Sequence, residues 1–212
     1  MDYLSTIVPS IADGLQVTLK IFVITIVLSL PLGIIMAMAR LSPLAVLRKI
    51  LEGYIYLMRG TPLMLQILFI YYGLPFLIPG LRLADYPAAI IAFVLNYAAY
   101  FAEIFRGGIQ SIDRGQYEGA KVLGMTYAQT MRRIVLPQVL KRVLPPVANE
   151  TINLLKDTSL VYILAMNDVL RITRSIVQRD FDMTAFIVAA VFYLIFTFIL
   201  TRFFMYLEKR FN

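Results

Sequence analysis

The chain has 212 residues, of which 60% are hydrophobic, with a mean hydropathy of +0.77 and a formal net charge of +7. So apolar a composition excludes an ordinary soluble domain and suffices for several membrane spans. There is neither cysteine nor histidine, which excludes disulfides, thiol nucleophiles, the usual zinc ligands and the commonest general base; basic loops on the inner side of a membrane account for the positive charge without nucleic acid.

The opening MDYLSTIVPSIADG carries acidic residues where a signal peptide carries basic ones, so the first apolar run is expected to stay as a helix. A first span is expected over residues 15–39, with Lys20 near one end and Pro31 inside. Gly33 and Ala37 stand four apart, a spacing at which small residues let helices approach. Arg40, Arg48 and Lys49 then mark a cytoplasmic loop, which puts the N-terminus outside. Residues 44–58 are amphipathic. Thr61 is placed to cap a helix with Pro62 at its first position, and a second span runs to about Ile78. After an outer loop with Pro79, Gly80, Arg82 and Asp85, a third span is expected over 86–105, where Asn96, Tyr100 and Glu103 share one face.

The next stretch, from Tyr117 to Pro137, is polar and basic within an otherwise apolar chain. Asp113 followed by Gln116 can cap a helix through Leu123, Gly124 can end it left-handed, and Thr126 with Gln129 forms a second capping box. Pro137 is expected to push Leu136 out of helix. The reading is helix, glycine corner, helix, with Lys121, Arg132 and Arg133 on its surface. Residues 143–164 are long enough to span although they contain Pro145, Pro146, Asn149, Glu150, Asn153, Lys156 and Asp157. Asn149, Asn153 and Asp157 recur at four-residue steps, so one side is polar and the other presents Val147, Ile152, Leu155 and Val161. Such a helix belongs inside a bundle, its stripe facing protein or a water-filled route. Residues 167–182, with Asp168, Arg171, Arg174, Arg179, Asp180 and Asp182, read as an outer loop, and a last span over 183–206 ends in Glu208, Lys209 and Arg210, an inner flank. The fold class expected is an all-α integral membrane protein of five transmembrane helices, one domain over 1–212, with its C-terminus cytoplasmic. Seven basic residues between Arg106 and Arg142 fall on the inner side in this topology. Five helices without an internal repeat are too few to enclose a route, so the chain is expected to dimerise around a shared one.

The positions Glu118, Ala120, Gly124, Ile134, Leu136 and Pro137 resemble the EAA signature of bacterial ABC importer permeases, with Gly119 where the family has alanine. Three further runs, RGTPL from Arg59, AEIFRGGIQSI from Ala102 and KDTSL from Lys156, resemble the polar amino-acid subgroup. The resemblance implies a type I importer fold in the bacterial cytoplasmic membrane, with a coupling helix in the loop 107–142. It implies that Glu118, Gly119, Ala120, Lys121, Gly124, Arg132 and Arg133 meet a dimer of ABC ATPase subunits, which bind the ATP and Mg. It implies a second permease copy, an extracytoplasmic amino-acid-binding protein and alternating access. No GxxxxGK[ST] occurs, so the chain is not expected to hydrolyse ATP or to carry a cofactor.

For the amino-acid substrate the candidates are Glu103, Asn96, Tyr100, Asn153 and Asp157. Glu103 either receives a cationic group of the substrate, or pairs with Lys156, or sits at a helix end beside Arg106. Asn96, Tyr100 and Asn153 either touch substrate or bond between helices, and Lys156 with Asp157 either lines the route or holds the bundle. Carboxylates outnumber the lysine in this set, which favours cationic amino acids such as arginine, lysine or histidine. The competing readings are a permease for another solute, such as methionine or an inorganic anion, and an ion-coupled secondary amino-acid transporter. The latter would need no docking segment and no ATP.

Overall fold

A computed structural model describes residues 3–211. Met1, Asp2 and Asn212, which the single-domain expectation and the acidic N-terminal reading include, lie outside the described residues. The described residues form helices and turns without a strand: α1 (Tyr3–Arg40), α2 (Ala45–Gly60), α3 (Leu63–Leu68), α4 (Leu74–Leu77), α5 (Asp85–Gln110), α6 (Arg114–Val122), α7 (Tyr127–Thr130), α8 (Leu136–Asp157), α9 (Val169–Asp180) and α10 (Thr184–Phe211). A π turn, Phe69–Gly73, joins α3 to α4, and another, Met131–Val135, joins α7 to α8; a 3₁₀ segment, Thr158–Leu164, continues α8.

The bundle is built around α1 against α5, and small residues allow it. α1 buries Gly14, Thr18, Thr25, Ser29, Gly33 and Ala37 along one stripe, and α5 buries Ala88, Ala89, Ala92, Ala98, Ala99 and Ala102. A β-carbon added at Gly33 would lie 2.6 Å from the Phe101 Cβ and 3.0 Å from the Ala102 backbone nitrogen, so the two backbones approach where only glycine fits. The largest core cluster then forms around Phe93, Tyr97 and Phe101 of α5, Ile67 and Ile70, Leu154 of α8 and Val161.

Three helices, α1, α5 and α10, are long and apolar enough to cross a membrane, and α2 with Leu63–Leu77 makes a fourth candidate if that pair, bent by 107°, is one span. The fifth expected crossing is α8 with its 3₁₀ extension. It packs against α10, α5 and α1, but its polar stripe keeps it below the apolarity of a lipid-facing span.

Several boundaries differ from the sequence expectation. α1 starts at Tyr3, not near Leu15, because Ile7 and Ile11 bury against Val169 and Ile176 of α9. Residues 169–180 are helix, not loop: the Asp168 side chain accepts from the backbone N–H groups of Leu170 and Arg171, both at 3.0 Å, and Phe181 closes the helix at φ 54°. Burial pushes the Asp168 carboxyl up to about 6, against the lowering effect of those two N–H groups. The Tyr3 hydroxyl donates to Asp180 at 3.0 Å and ties the start of α1 to the end of α9. Thr61 does not cap the helix that follows. Its hydroxyl donates to the Leu57 carbonyl at 2.8 Å, and Pro62 is the extended residue ahead of α3. Pro137 does not end a helix either: Leu136 is helical at φ −57° and ψ −41°. The π turn before it bonds the Leu136 N–H to the Met131 carbonyl, a wider ladder that leaves room for the proline ring. Helix therefore continues without a break from Tyr127 to Asp157. Residues 107–110 belong to α5 and 136–142 to α8, so less of the expected loop 107–142 is loop.

Candidate functional site

Two regions carry polar chemistry. The first is the segment between α5 and α8, where local hydrogen bonds set the shape. The Asp113 side chain caps α6 by accepting from the Gly115 N–H at 2.6 Å. The expected return bond from the Gln116 side chain is not made; Gln116 accepts instead from the Gln138 amide at 3.1 Å. At the other end of α6 the Met125 N–H reaches the Ala120 carbonyl and the Gly124 N–H the Lys121 carbonyl, both at 3.0 Å, with Gly124 at φ +71°. That is the Schellman termination, which an L side chain at Gly124 would strain. The next turn opens with a complete capping box: the Gln129 N–H donates to Thr126 Oγ1 at 3.3 Å and the Thr126 N–H to Gln129 Oε1 at 2.8 Å.

Of the residues expected to dock, Glu118, Gly119, Lys121, Gly124, Arg132 and Arg133 are exposed and Ala120 is buried. Among the described residues none of Glu118, Lys121, Arg132 or Arg133 forms an ion pair. Around the glycine corner stand Val122, Leu123 and Tyr127, exposed by 88%, 78% and 71%. A cluster of apolar side chains at a charged corner is the composition of a protein interface, and charge patterning alone did not pick it out.

The second region is a cleft of about 790 Å³ between the α2–α3 bend, α5 and α8. Of the five substrate candidates it brings together Asn96, Tyr100, Asn153 and Asp157, and it adds Arg59, Tyr97, Glu150 and Lys156. Asp157 accepts from the Tyr97 hydroxyl at 2.7 Å, and Asn153 donates to Glu150 at 3.4 Å. Asn96 is 4% exposed and its amide is spent on the Met58 carbonyl at 2.9 Å and on Gln66 at 3.0 Å. Its hydrogen bonds hold the bend; Asn153, by contrast, is exposed to the cleft. Asn149 falls outside, in a smaller cavity against Thr201 and Glu208.

Glu103 does not join the cleft. It lines a neighbouring cavity of about 540 Å³ with Arg40, Glu52, Tyr56, Arg59 and Arg106. Arg40 Nη1 reaches it at 2.8 Å, Arg106 pairs with it one helical turn on, and Arg40 also contacts Glu52 at 3.5 Å. Of the partners expected, Arg106 is present and Lys156 is not; Arg40 is added, and its contacts with Glu52 and Glu103 tie α1, α2 and α5 together.

Residues 29–212 match the family described as the binding-protein-dependent transport system inner membrane component. The chain belongs to this family. Its relatives include the arginine transport system permease protein ArtQ of Bacillus subtilis (strain 168), 40% identical over 173 residues, which are 81% of this chain and 78% of that protein. The glutamine transport system permease protein GlnP of Escherichia coli (strain K12) is 34% identical over 204 residues, 96% of this chain and 93% of that one. Among solved structures, an amino acid ABC transporter with histidines superposes with a TM-score of 0.89 at 33% identity, covering 99% of each chain. For this inner membrane component, sequence reasoning missed Arg59, Tyr97, Gln66 and Arg40. Arg59 stands beside the Gly60–Thr61–Pro62 break, which is a signal for a bend but not for what the bend exposes. Tyr97 neighbours Asn96 on α5 and carries no signal of its own.

Proposed function

We propose that the chain is the permease subunit of an ATP-driven importer, passing polar L-amino acids across the cytoplasmic membrane by alternating access. A single permease domain over 1–212, with its N-terminus outside and C-terminus cytoplasmic, crosses five times. It pairs with a second copy, a dimer of ATPase subunits that bind ATP and Mg, and an extracytoplasmic amino-acid-binding protein. The observation that carries this reading is that the polar face of α8, with Glu150, Asn153 and Asp157 in the cleft, is joined by unbroken helix to the capped segment at Thr126. Closure of the ATPases on the exposed corner around Glu118, Gly119, Lys121 and Gly124 moves α7 and α8, and the cleft with them. Val122, Leu123 and Tyr127 supply apolar contact there, and Ala120, buried within the chain, packs the helix that presents them.

The cleft carries Arg59 and Lys156 against Glu150 and Asp157, a balance of two charges of each sign that suits a zwitterion. With Glu103 in the neighbouring cavity, a preference for cationic side chains rests on Glu150 and Asp157 together with the arginine transport named for the relative at 40% identity. The test is reconstitution with the cognate ATPase and binding protein in liposomes, following ATP-dependent uptake of arginine and of glutamine. Glu118→Ala is expected to lose both while ATP hydrolysis continues. Glu150→Gln is expected to lose arginine more than glutamine, and Glu103→Gln to affect both alike. Uptake that proceeds without the ATPase would overturn the reading.

A further inference from the structure

The last turn of α2 separates the two cavities, and Arg59 lines both of them. Its guanidinium lies over the Tyr100 ring, 5.2 Å from the centroid, and its charge acts on Glu150 in the cleft and on Glu103 in the neighbouring cavity. Arg59 has no ion pair among the described residues. It is thus a cation resting on an aromatic face between two carboxylates, one on each side.

Its place is set by hydrogen bonds across the bend. The Gln66 amide is shared among the Met58 carbonyl at 2.9 Å, Thr61 Oγ1 at 2.8 Å and the Thr61 carbonyl at 3.2 Å. Gln66 accepts in turn from Asn96, which also donates to the Met58 carbonyl. These part-buried bonds satisfy the carbonyls that the break at Pro62 leaves open. They fix the residue before Arg59 onto α5 and thereby hold the arginine over Tyr100.

We propose that Arg59, positioned by Gln66 and Asn96, is the charged partition between the substrate cleft and the cavity of Arg40 and Glu103. Passage of solute between the two requires its guanidinium to leave Tyr100. The proposal rests on the reading of the cleft as the transport route. A displaced guanidinium finds a carboxylate on either side, so the partition has a stable position to move to. A cation–π contact of this kind is worth about 0.5–2 kcal/mol, so its removal shifts such an equilibrium about twofold to thirtyfold.

The chain has no cysteine, so single cysteines report access cleanly. Tyr56→Cys, at a side chain 82% exposed and lining the Arg40 cavity, and Asn153→Cys, in the cleft, are placed separately in the assembled transporter in sealed vesicles. A membrane-impermeant thiol reagent is added from the side that labels Tyr56→Cys. From that side Asn153→Cys is expected to label slowly with Arg59 present and at least severalfold faster with Arg59→Gly. Arg59→Lys should fall between, and Gln66→Leu should accelerate labelling with Arg59 intact. Tyr56→Cys should label at one rate in all four. Equal rates at Asn153→Cys with Arg59 and with Arg59→Gly would overturn the partition. Labelled Asn153→Cys that still supports full uptake would overturn the transport route instead, leaving the access measurement as it stands.

Discussion

The corner between α6 and α7 and the cleft beside α8 are both polar places in an apolar chain, held in opposite ways. At the corner every capping bond closes within five residues, from Gly115 to Asp113, Met125 to Ala120 and Gln129 to Thr126. In and around the cleft there are local bonds too, but those that join helices, Asn96 to Met58, Tyr97 to Asp157 and Arg40 to Glu103, each span 38 residues or more of sequence. A locally closed turn keeps its shape while its whole surface is given to a partner; a cross-linked cleft can change only if helices move together. That difference suits the proposed roles, the corner as the docking part and the cleft as the moving part.

The largest effect should come from the helix contact on which the cleft depends. Gly33→Ala forces α1 off α5 and is expected to cost about 1–3 kcal/mol, read as a fall in the melting temperature of the solubilised protein. Glu103→Ala leaves Arg40 and Arg106 facing each other at a partly buried site, and a loss of about 1–3 kcal/mol is expected. At the corner, Gly124→Ala must adopt a left-handed backbone at about 1–2 kcal/mol, yet melting should barely move because few tertiary contacts depend on it. The loss appears as ATP hydrolysis no longer linked to uptake. Thr126→Ala removes a cap of about 1 kcal/mol with the same signature, only milder. If Thr126→Ala lowered melting as far as Gly33→Ala, the contrast between the two regions would fail. A different kind of effect, a dependence on pH, is expected at Asp168. Its folded carboxyl titrates near 6, above the ordinary value of 3.8, so the folded state holds the proton more tightly. The stability this adds is complete below about pH 4 and is lost as pH rises through about 6. Asp168→Asn, which retains the capping oxygen, should flatten that part of the melting profile.

The same contrast explains what was legible in the sequence. The corner could be read from Asp113, Gly124, Thr126 and Gln129 because a cap involves only neighbours. The spans of α1, α5 and α10 could be read from the length of their apolar runs. Glu103 could be placed on the face of Asn96 and Tyr100 but not in a cavity: seven residues along α5 carry it from the end of α2, where Asn96 bonds Met58, to the level of Glu52 and Tyr56, and there Arg40 approaches from α1. Asn96 looked like a lining residue because its chemistry suits substrate and backbone equally; the Pro62 break, with its open carbonyls, claims it. Pro137 misled because the proline rule assumes an α ladder, and the chain answers with a π turn.

That turn gives the molecule a mechanical element. Residues 127–157 run as one helix, which at 1.5 Å per residue reaches roughly 45 Å. Along that length the π turn at Met131–Val135 and the Pro145–Pro146 pair are the two places where the helix can bend. On the proposed mechanism, a tilt at its exposed end reaches the polar face at the other through those two bending points.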